Sequence, residues 1–446
     1  MASTPRTPNS GLADLLAEAR WSLSQLALAV NRLGGESGLS LRYDQSAVSH
    51  WLAGTMPRAQ VRPLVVEALS RRLKRPVTHA EAGFGTPASV PEGDVLEGLV
   101  DVGRADMDPS RRGVLTAGVY SAALAVPLFP HLTGRMSEPS KARGTVRIGP
   151  GEVSTVRTMT ERIADILDEL GGGHARPMAA AFLVNTVAPY LRASAPEHVR
   201  NDMLAAASDL VYLTGWMAMY EREHALGQRY YVKALELAGA AEDHLTYCRT
   251  LRGMSLQASN LGHGAKALEL ADAAAKASPE AGPRLRAFLT GQQAHAAAMT
   301  GDRHTAFARL HETETALSKA DSRREAIGGY DASAYHFHVS HVLYEVKDLP
   351  GSIRAMEESL RHQPRQQRQG RAHSHGLLAQ RQFELGHLDA ACAAWHAFLD
   401  DYVQLATSRG DEHFATMRRR IAPHGRARAV RELARRADEV ARAKAV

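Results

Sequence analysis

Gln45, Ser46, Ser49 and His50 are short polar hydrogen-bonders packed into one stretch, and their chemistry suits the edge of a base pair. A Gln amide donates to and accepts from adenine at once, while Ser and His reach base edges or phosphate oxygens. Asp44 stands just before them as a helix N-cap, able to accept from backbone N–H groups two or three residues on. Ala47, Val48, Trp51 and Leu52 fall on the opposite face, Gly54 ends the helix and Pro57 prevents its continuation. The expected product is a short helix, apolar inward and polar outward, with no acidic side chain after its cap, which suits entry into a major groove. Polar outer faces are ordinary on surface helices, so the flanking elements decide the reading.

Upstream, Ser22-Leu23-Ser24-Gln25 is a capping box, and it opens a helix to about Leu33 that packs through Leu26, Ala27 and Val30. Leu12, Leu15, Leu16 and Ala19 give an earlier apolar stripe. Beyond Pro57, Val61, Leu64, Val65, Ala68, Leu69 and Leu73 give a later one, closed by Arg75-Pro76. Several short helices in about 80 residues, the third presenting a polar face, describe a helix-turn-helix domain.

Ser24-Gln25-Leu26-Ala27, Ala47 to Gly54 and Pro57-Arg58 carry a resemblance to the repressor-like helix-turn-helix family of phage repressors and bacterial XRE regulators. The resemblance implies that Gln45, Ser46 and His50 read bases, with Ser49 beside them, and that Arg58 meets a phosphate. Ser24 and Thr55 are expected at the DNA backbone as well. Between Val30 and Asp44, where the family has a tight turn, this chain carries an insertion that offers Arg42 and Tyr43 as further phosphate contacts.

The 446 residues allow two or three domains, and a net charge of +6 suits a polyanionic partner. Two cysteines, Cys248 and Cys392, make neither a disulfide framework nor a cysteine zinc site, and both read as buried. Met1 to Ser10 is polar and lacks the apolar core of a signal peptide, so a cytoplasmic protein is expected. Arg111-Arg112 followed by apolar residues to Phe129 has the composition of a twin-arginine signal. Its place deep in the chain, and its interruption by Thr116, Gly118, Ser121 and Pro127, predict a buried or dimer-forming linker helix instead. The Pro-, Gly- and Ser-rich stretches 85–93 and 132–151 read as hinges, which divides the chain into 1–84, 85–151 and 152–446.

From Glu152 onward the pattern is Ala-rich and helical, with a recurring phrase: Leu261 to Leu268, Thr300 to Phe307, Val346 to Ile353 and Leu385 to Cys392, and a weaker copy around Gly227. The phrases resemble tetratricopeptide repeats, with Gly262, Gly301 and Gly386 each followed five residues later by Ala267, Ala306 and Ala391. The phrase Lys347 to Ser352 replaces both residues. Such helix pairs stack into a superhelix whose concave face takes a peptide, small molecule or partner protein. Arg229, Tyr230 and Tyr231, and also Tyr335, His336 and Tyr344, are candidates for that face, with packing between repeats as the competing reading. The whole order, with Asp106 to Arg112, Gly171 to Pro177, Gln228 to Val232 and Phe398 to Tyr402, resembles an actinobacterial family of XRE-type regulators with divergent tetratricopeptide arrays. That family is associated with sporulation and antibiotic production.

No catalytic signature is present. His336, His338 and His341, or His373 and His375, suggest metal only superficially, since no nearby carboxylate or cysteine completes a set at helical spacing. Gly171-Gly172-Gly173-His174 lacks the residues of a phosphate loop and reads as a helix-ending loop. Tyr212 and Trp216 read as core, and the basic C-terminal helix as a solvated cap. The expectation is an all-α protein, an N-terminal repressor-like helix-turn-helix domain followed by a tetratricopeptide-like solenoid. It would bind double-stranded DNA as a homodimer and answer to a peptide, small-molecule or protein effector, with no cofactor, metal, enzyme activity or membrane contact. The competing class is an interaction adaptor whose N-terminal helices bind protein.

Overall fold

The computed structural model describes residues 7–36, 39–85, 94–108, 120–133, 146–277, 282–320 and 330–445. Among them every regular element is helical, and the β-type pairing is a single bridge between Arg147 and Ser194. Among the described residues no helix is long and apolar enough to cross a membrane.

Four helices build the N-terminal unit: α1 (Ser10–Ala19), α2 (Leu23–Glu36), α3 (Gln45–Leu52) and α4 (Arg62–Leu73). The capping box forms as read, Ser22 N–H donating to Gln25 Oε1 at 2.8 Å and Gln25 N–H to Ser22 Oγ at 3.3 Å. Leu12, Leu26, Val30, Val48, Leu64 and Leu69 are wholly buried in one core, each removing apolar side-chain area from water. The insertion between α2 and α3 is tied back by Asn31, whose amide accepts from Tyr43 N–H and donates to Tyr43 C=O, both at 2.8 Å.

Most of the two stretches read as hinges, 86–93 and 134–145, lies outside the described residues. Residues 95–107 form α5 (Val95–Met107), capped by Asp94 and packed against the array. Of the expected linker helix, residues 109–119 lie outside the described residues, and residues 120–128 are not helical. Their backbone is instead claimed by the array: the Gln228 side chain accepts from Ser121 N–H and donates to Ser121 C=O, both at 2.9 Å, and Tyr120, Ala122 and Leu132 are buried. Pro127 has no N–H to extend a helix, and its carbonyl accepts from Tyr247 Oη at 2.8 Å.

The array begins with α6 (Pro150–Leu170) and α7 (Gly172–Phe182), the latter running through a π-helical turn, Leu183–Val187, into α8 (Ala188–Arg192). Hairpins follow: α9 (Glu197–Tyr220) with α10 (His224–Ala240), α11 (His244–Asn260) with α12 (Gly264–Lys276), α13 (Pro283–Met299) with α14 (Arg303–Ser318), α15 (Ala332–Glu345) with α16 (Leu349–His362), α17 (Arg368–Glu384) with α18 (Leu388–Tyr402), and α19 (Ser408–Ile421) with α20 (Arg428–Lys444). The turns of the first five repeat one backbone device, a left-handed residue at Arg222, Gly262, Gly301, Lys347 and Gly386. Five positions on stands a small residue, Gly227, Ala267, Ala306, Ser352 or Ala391, buried where the two helices touch. The phrase at Lys347 is therefore less degenerate than its sequence suggests: it keeps the geometry, with Lys347 held at φ 70°. Serines fasten several hairpins across the same contact, Ser208 Oγ donating to Ala234 C=O, Ser255 to Ala267 and Ser340 to Ser352, at 2.6–2.8 Å.

The array curls until its ends meet. Ala406 N–H donates to Leu170 C=O and Gly173 N–H to Ala406 C=O, both at 2.8 Å, while Gly172 N–H donates to Gln369 Oε1 at 3.0 Å. The glycine triplet thus has a structural reason beyond ending a helix. A Cβ on Gly171 or Gly173 would lie 2.5 or 2.8 Å from Ala406 O, so only glycine admits this closure. Helix α20 covers the last repeat with Val430, Leu433, Ala437 and Val440, and much of its charge is spent on neighbours such as Glu432, Glu439 and Asp400.

Candidate nucleic-acid interface and the inner face of the array

Helix α3 is built as its sequence reads. Asp44 Oδ1 accepts from Ser46 N–H at 3.0 Å and Ala47 N–H at 3.1 Å, and the Ser46 hydroxyl and these backbone bonds hold the Asp44 carboxyl below its usual range. Val48 is 0% and Trp51 5% exposed, so the helix is pinned from one side. Gln45, Ser46, Ser49 and His50 are all exposed on the other, as are Ser24, Arg42 and Arg58. Ser24 Oγ donates to Gln45 Oε1 at 3.2 Å, which joins the start of α2 to the start of α3 and orients the glutamine amide. Ser46 Oγ is turned to Asp44 at 2.6 Å. Thr55 is half-buried, its N–H donating to His50 C=O at 2.9 Å. Tyr43 sets its ring edge-on to Trp51 with centroids 5.2 Å apart, so its body serves the core of the unit.

This unit meets the array through α4. Glu67 of α4, 1% exposed, accepts through Oε1 from Arg71 Nε at 2.8 Å and from His263 Nε2 at 2.9 Å. Tyr120 stacks on His263, centroids 5.5 Å apart, and burial followed by the nearby Glu67 carboxylate pushes its hydroxyl pKa up. Beside this contact lies a cavity of about 740 Å³, shared by Glu36 and Arg71 of the N-terminal unit and by Glu221, His224, Arg409 and His413 of the array.

The sequence-predicted ligand residues separate. Tyr230 and Tyr231 have no exposed surface and belong to the main hydrophobic core, so the packing reading replaces the ligand reading for both. Tyr230 Oη donates to Asp106 Oδ2 at 3.1 Å, anchoring α5. Arg229, half-buried, lies on α10, the second helix of its hairpin, and desolvation lowers its pKa. Tyr335 and His336 are half-buried on α15. His336 stacks on His362 and, with Glu358, gathers three donors within 4.8 Å, a carboxylate that sequence spacing on α15 alone did not reveal. Both Glu358 oxygens are already engaged, one by Arg361 and one by His362 Nε2 at 3.0 Å.

A row of which the sequence reading named only His338, His341 and His373, and those only as superficial metal candidates, sits on the first helices of successive hairpins: Arg252 on α11, His295 on α13, His338 and His341 on α15, His373 and Arg381 on α17, Arg409 and His413 on α19. His338 Nδ1 is 2.7 Å from Tyr330 Oη, and His373 Nδ1 is 2.9 Å from His413 Nε2. Burial and then nearby guanidinium charge keep these imidazoles neutral, His413 pushed down to about 3 and His295 to about 4. The signal available in sequence was arginine inside otherwise apolar stretches such as Cys248 to Met254, but pairing them needs the superhelix.

The family described as the SP15 N-terminal domain matches residues 12–85, the same stretch that folds as the N-terminal helical unit. No curated protein matches the chain.

Proposed function

We propose that the protein is a sequence-specific DNA-binding transcription regulator whose α-helical array senses an effector. The observation that carries the reading is the split character of α3, buried through Val48 and Trp51 and exposed through Gln45, Ser46, Ser49 and His50. Those four side chains stay exposed with the array in place, which meets the unit through Glu67 and His263. In this reading the exposed row enters a major groove, while Arg42, Arg58, Ser24 and Thr55 follow the phosphates and make affinity fall with salt. A homodimer would present two such helices to two half-sites, and effector binding would shift the population of docked and undocked N-terminal units. Control of development or secondary metabolism is the role implied by the actinobacterial resemblance.

Selection of duplexes from a randomised pool by the full chain tests this. The regulator reading expects one enriched motif and an affinity that drops steeply as salt rises. The adaptor reading expects no enriched motif and little salt dependence.

A further inference from the structure

The effector role just proposed says that the array binds something, and the inner row of arginines and histidines says of what charge. Arg252 and Arg381 keep only 7% and 3% of their surface exposed, and among the described residues neither is ion-paired with a carboxylate. The charged or polar groups around Arg252 are tyrosines, with His338 Nε2 3.4 Å from its Nη2, and its buried Nε has no partner. Arg381 donates to Ser340 Oγ and lies within the field of two carboxylates that it does not touch, Glu345 and Glu384, the latter paired with Arg420 at 2.9 Å, so Arg252 is the guanidinium left without a carboxylate nearby. Arginine cannot escape burial by shedding its proton, so an uncompensated buried guanidinium is costly unless an anion completes it.

The three guanidinium groups are also held alike. Arg252 lies over Phe288 at 4.2 Å, Arg381 over Tyr344 at 4.8 Å and Arg409 over Tyr220 at 4.3 Å. Stacking fixes each plane and leaves N–H edges to meet an oxyanion. The row reaches solvent where Arg409, His373 and His413 line the cavity of about 740 Å³, a volume suited to a small ligand. Of the carboxylates lining that cavity, Glu36 pairs with Arg71, Glu412 with Arg222, and Glu221 Oε2 accepts from Ser408 N–H, while Glu221 Oε1 has no partner and Glu223 also lines the wall.

We propose that this inner row is an anion site for a small ligand bearing carboxylate or phosphoryl groups, which enters the shared cavity and meets Arg409 there, with Arg381 and Arg252, which do not line the cavity, completed as the ligand is drawn in along the row. Because the N-terminal unit forms one wall of the cavity, occupancy would be felt at its docking contact.

The test uses the full chain with citrate and with inorganic phosphate, against sodium chloride of matched ionic strength, followed by calorimetry and thermal melting. Saturable binding of citrate alone marks a carboxylate ligand, and of phosphate alone a phosphoryl one. Arg381→Gln and Arg409→Gln are expected to weaken that binding roughly 10- to 100-fold. Arg252→Met removes the unpaired charge, so its ligand-free melting temperature should be equal or higher while the anion-induced rise disappears. A lower ligand-free melting temperature would mark Arg252 as packing and overturn its assignment. No saturable binding of either anion by the wild type, or a rise that survives in Arg252→Met and Arg409→Gln, overturns the site. Duplex retention by the same preparations separates the claims: anion binding without DNA retention leaves this site and removes the regulator, and the reverse result does the opposite.

Discussion

At the scale of residues, the candidate DNA face was legible because its determinants are local. Asp44, Gly54 and Pro57 fix where α3 starts and stops, and Val48 and Trp51 fix which side turns inward. Tyr231, four residues from Gly227 in a plausible ligand phrase, was not legible, since only the packed hairpins show it enclosed beside Tyr212. The buried histidines have a measurable consequence. Burial, with nearby arginines, holds His413 and His224 at about 3 and His295 at about 4, against an ordinary 6.5. As pH falls below about 6.5 the unfolded chain takes up protons that the folded chain refuses, so stability present above that value is lost below it. Each such group contributes a slope of up to about 1.4 kcal/mol per pH unit. Urea midpoints measured from about pH 7.5 down to about pH 5 should therefore decrease steadily; a flat profile would contradict the neutral, buried placement.

At the scale of elements, turn chemistry announced the repeats and tertiary contact decided the rest. The glycines at 262, 301 and 386 marked three turns correctly, and the phrase around Lys347 proved to fold the same way. Since a lysine there sits in the left-handed region, Lys347→Gly should stabilise the protein by roughly 0.5–1 kcal/mol, read as a higher melting temperature. Helix α5 was overlooked although Asp94, Leu96, Leu99 and Val100 carry an N-cap and an apolar stripe, because the surrounding composition suggested a hinge. The expected linker helix failed over 120–128 for a complementary reason: Gln228 satisfies the backbone of Ser121 from outside, so no helix is needed there.

At the scale of the molecule, closure of the array and docking of the N-terminal unit lie beyond sequence pattern, since both join residues far apart in the chain. Gly173→Val places a side chain against Ala406 O and should cost roughly 1–3 kcal/mol, with faster hydrogen exchange at Ala406 and Gly173. His263→Ala strands buried Glu67 with Arg71 alone, a loss of roughly 1–3 kcal/mol. Limited proteolysis should then cut between the two units faster than in the wild type, while unchanged cleavage would show that the pair does not hold them together. The proposed regulator depends on one small exposed ridge carried by this larger frame. Its most direct test is titration of an enriched duplex at fixed salt with the wild type and with the double variant Gln45→Ala, His50→Ala. The account predicts that the variant keeps its helicity and melting behaviour, loses selectivity for that duplex over a scrambled one and binds it at least about tenfold more weakly. Equal affinity and equal selectivity in the two proteins would contradict it.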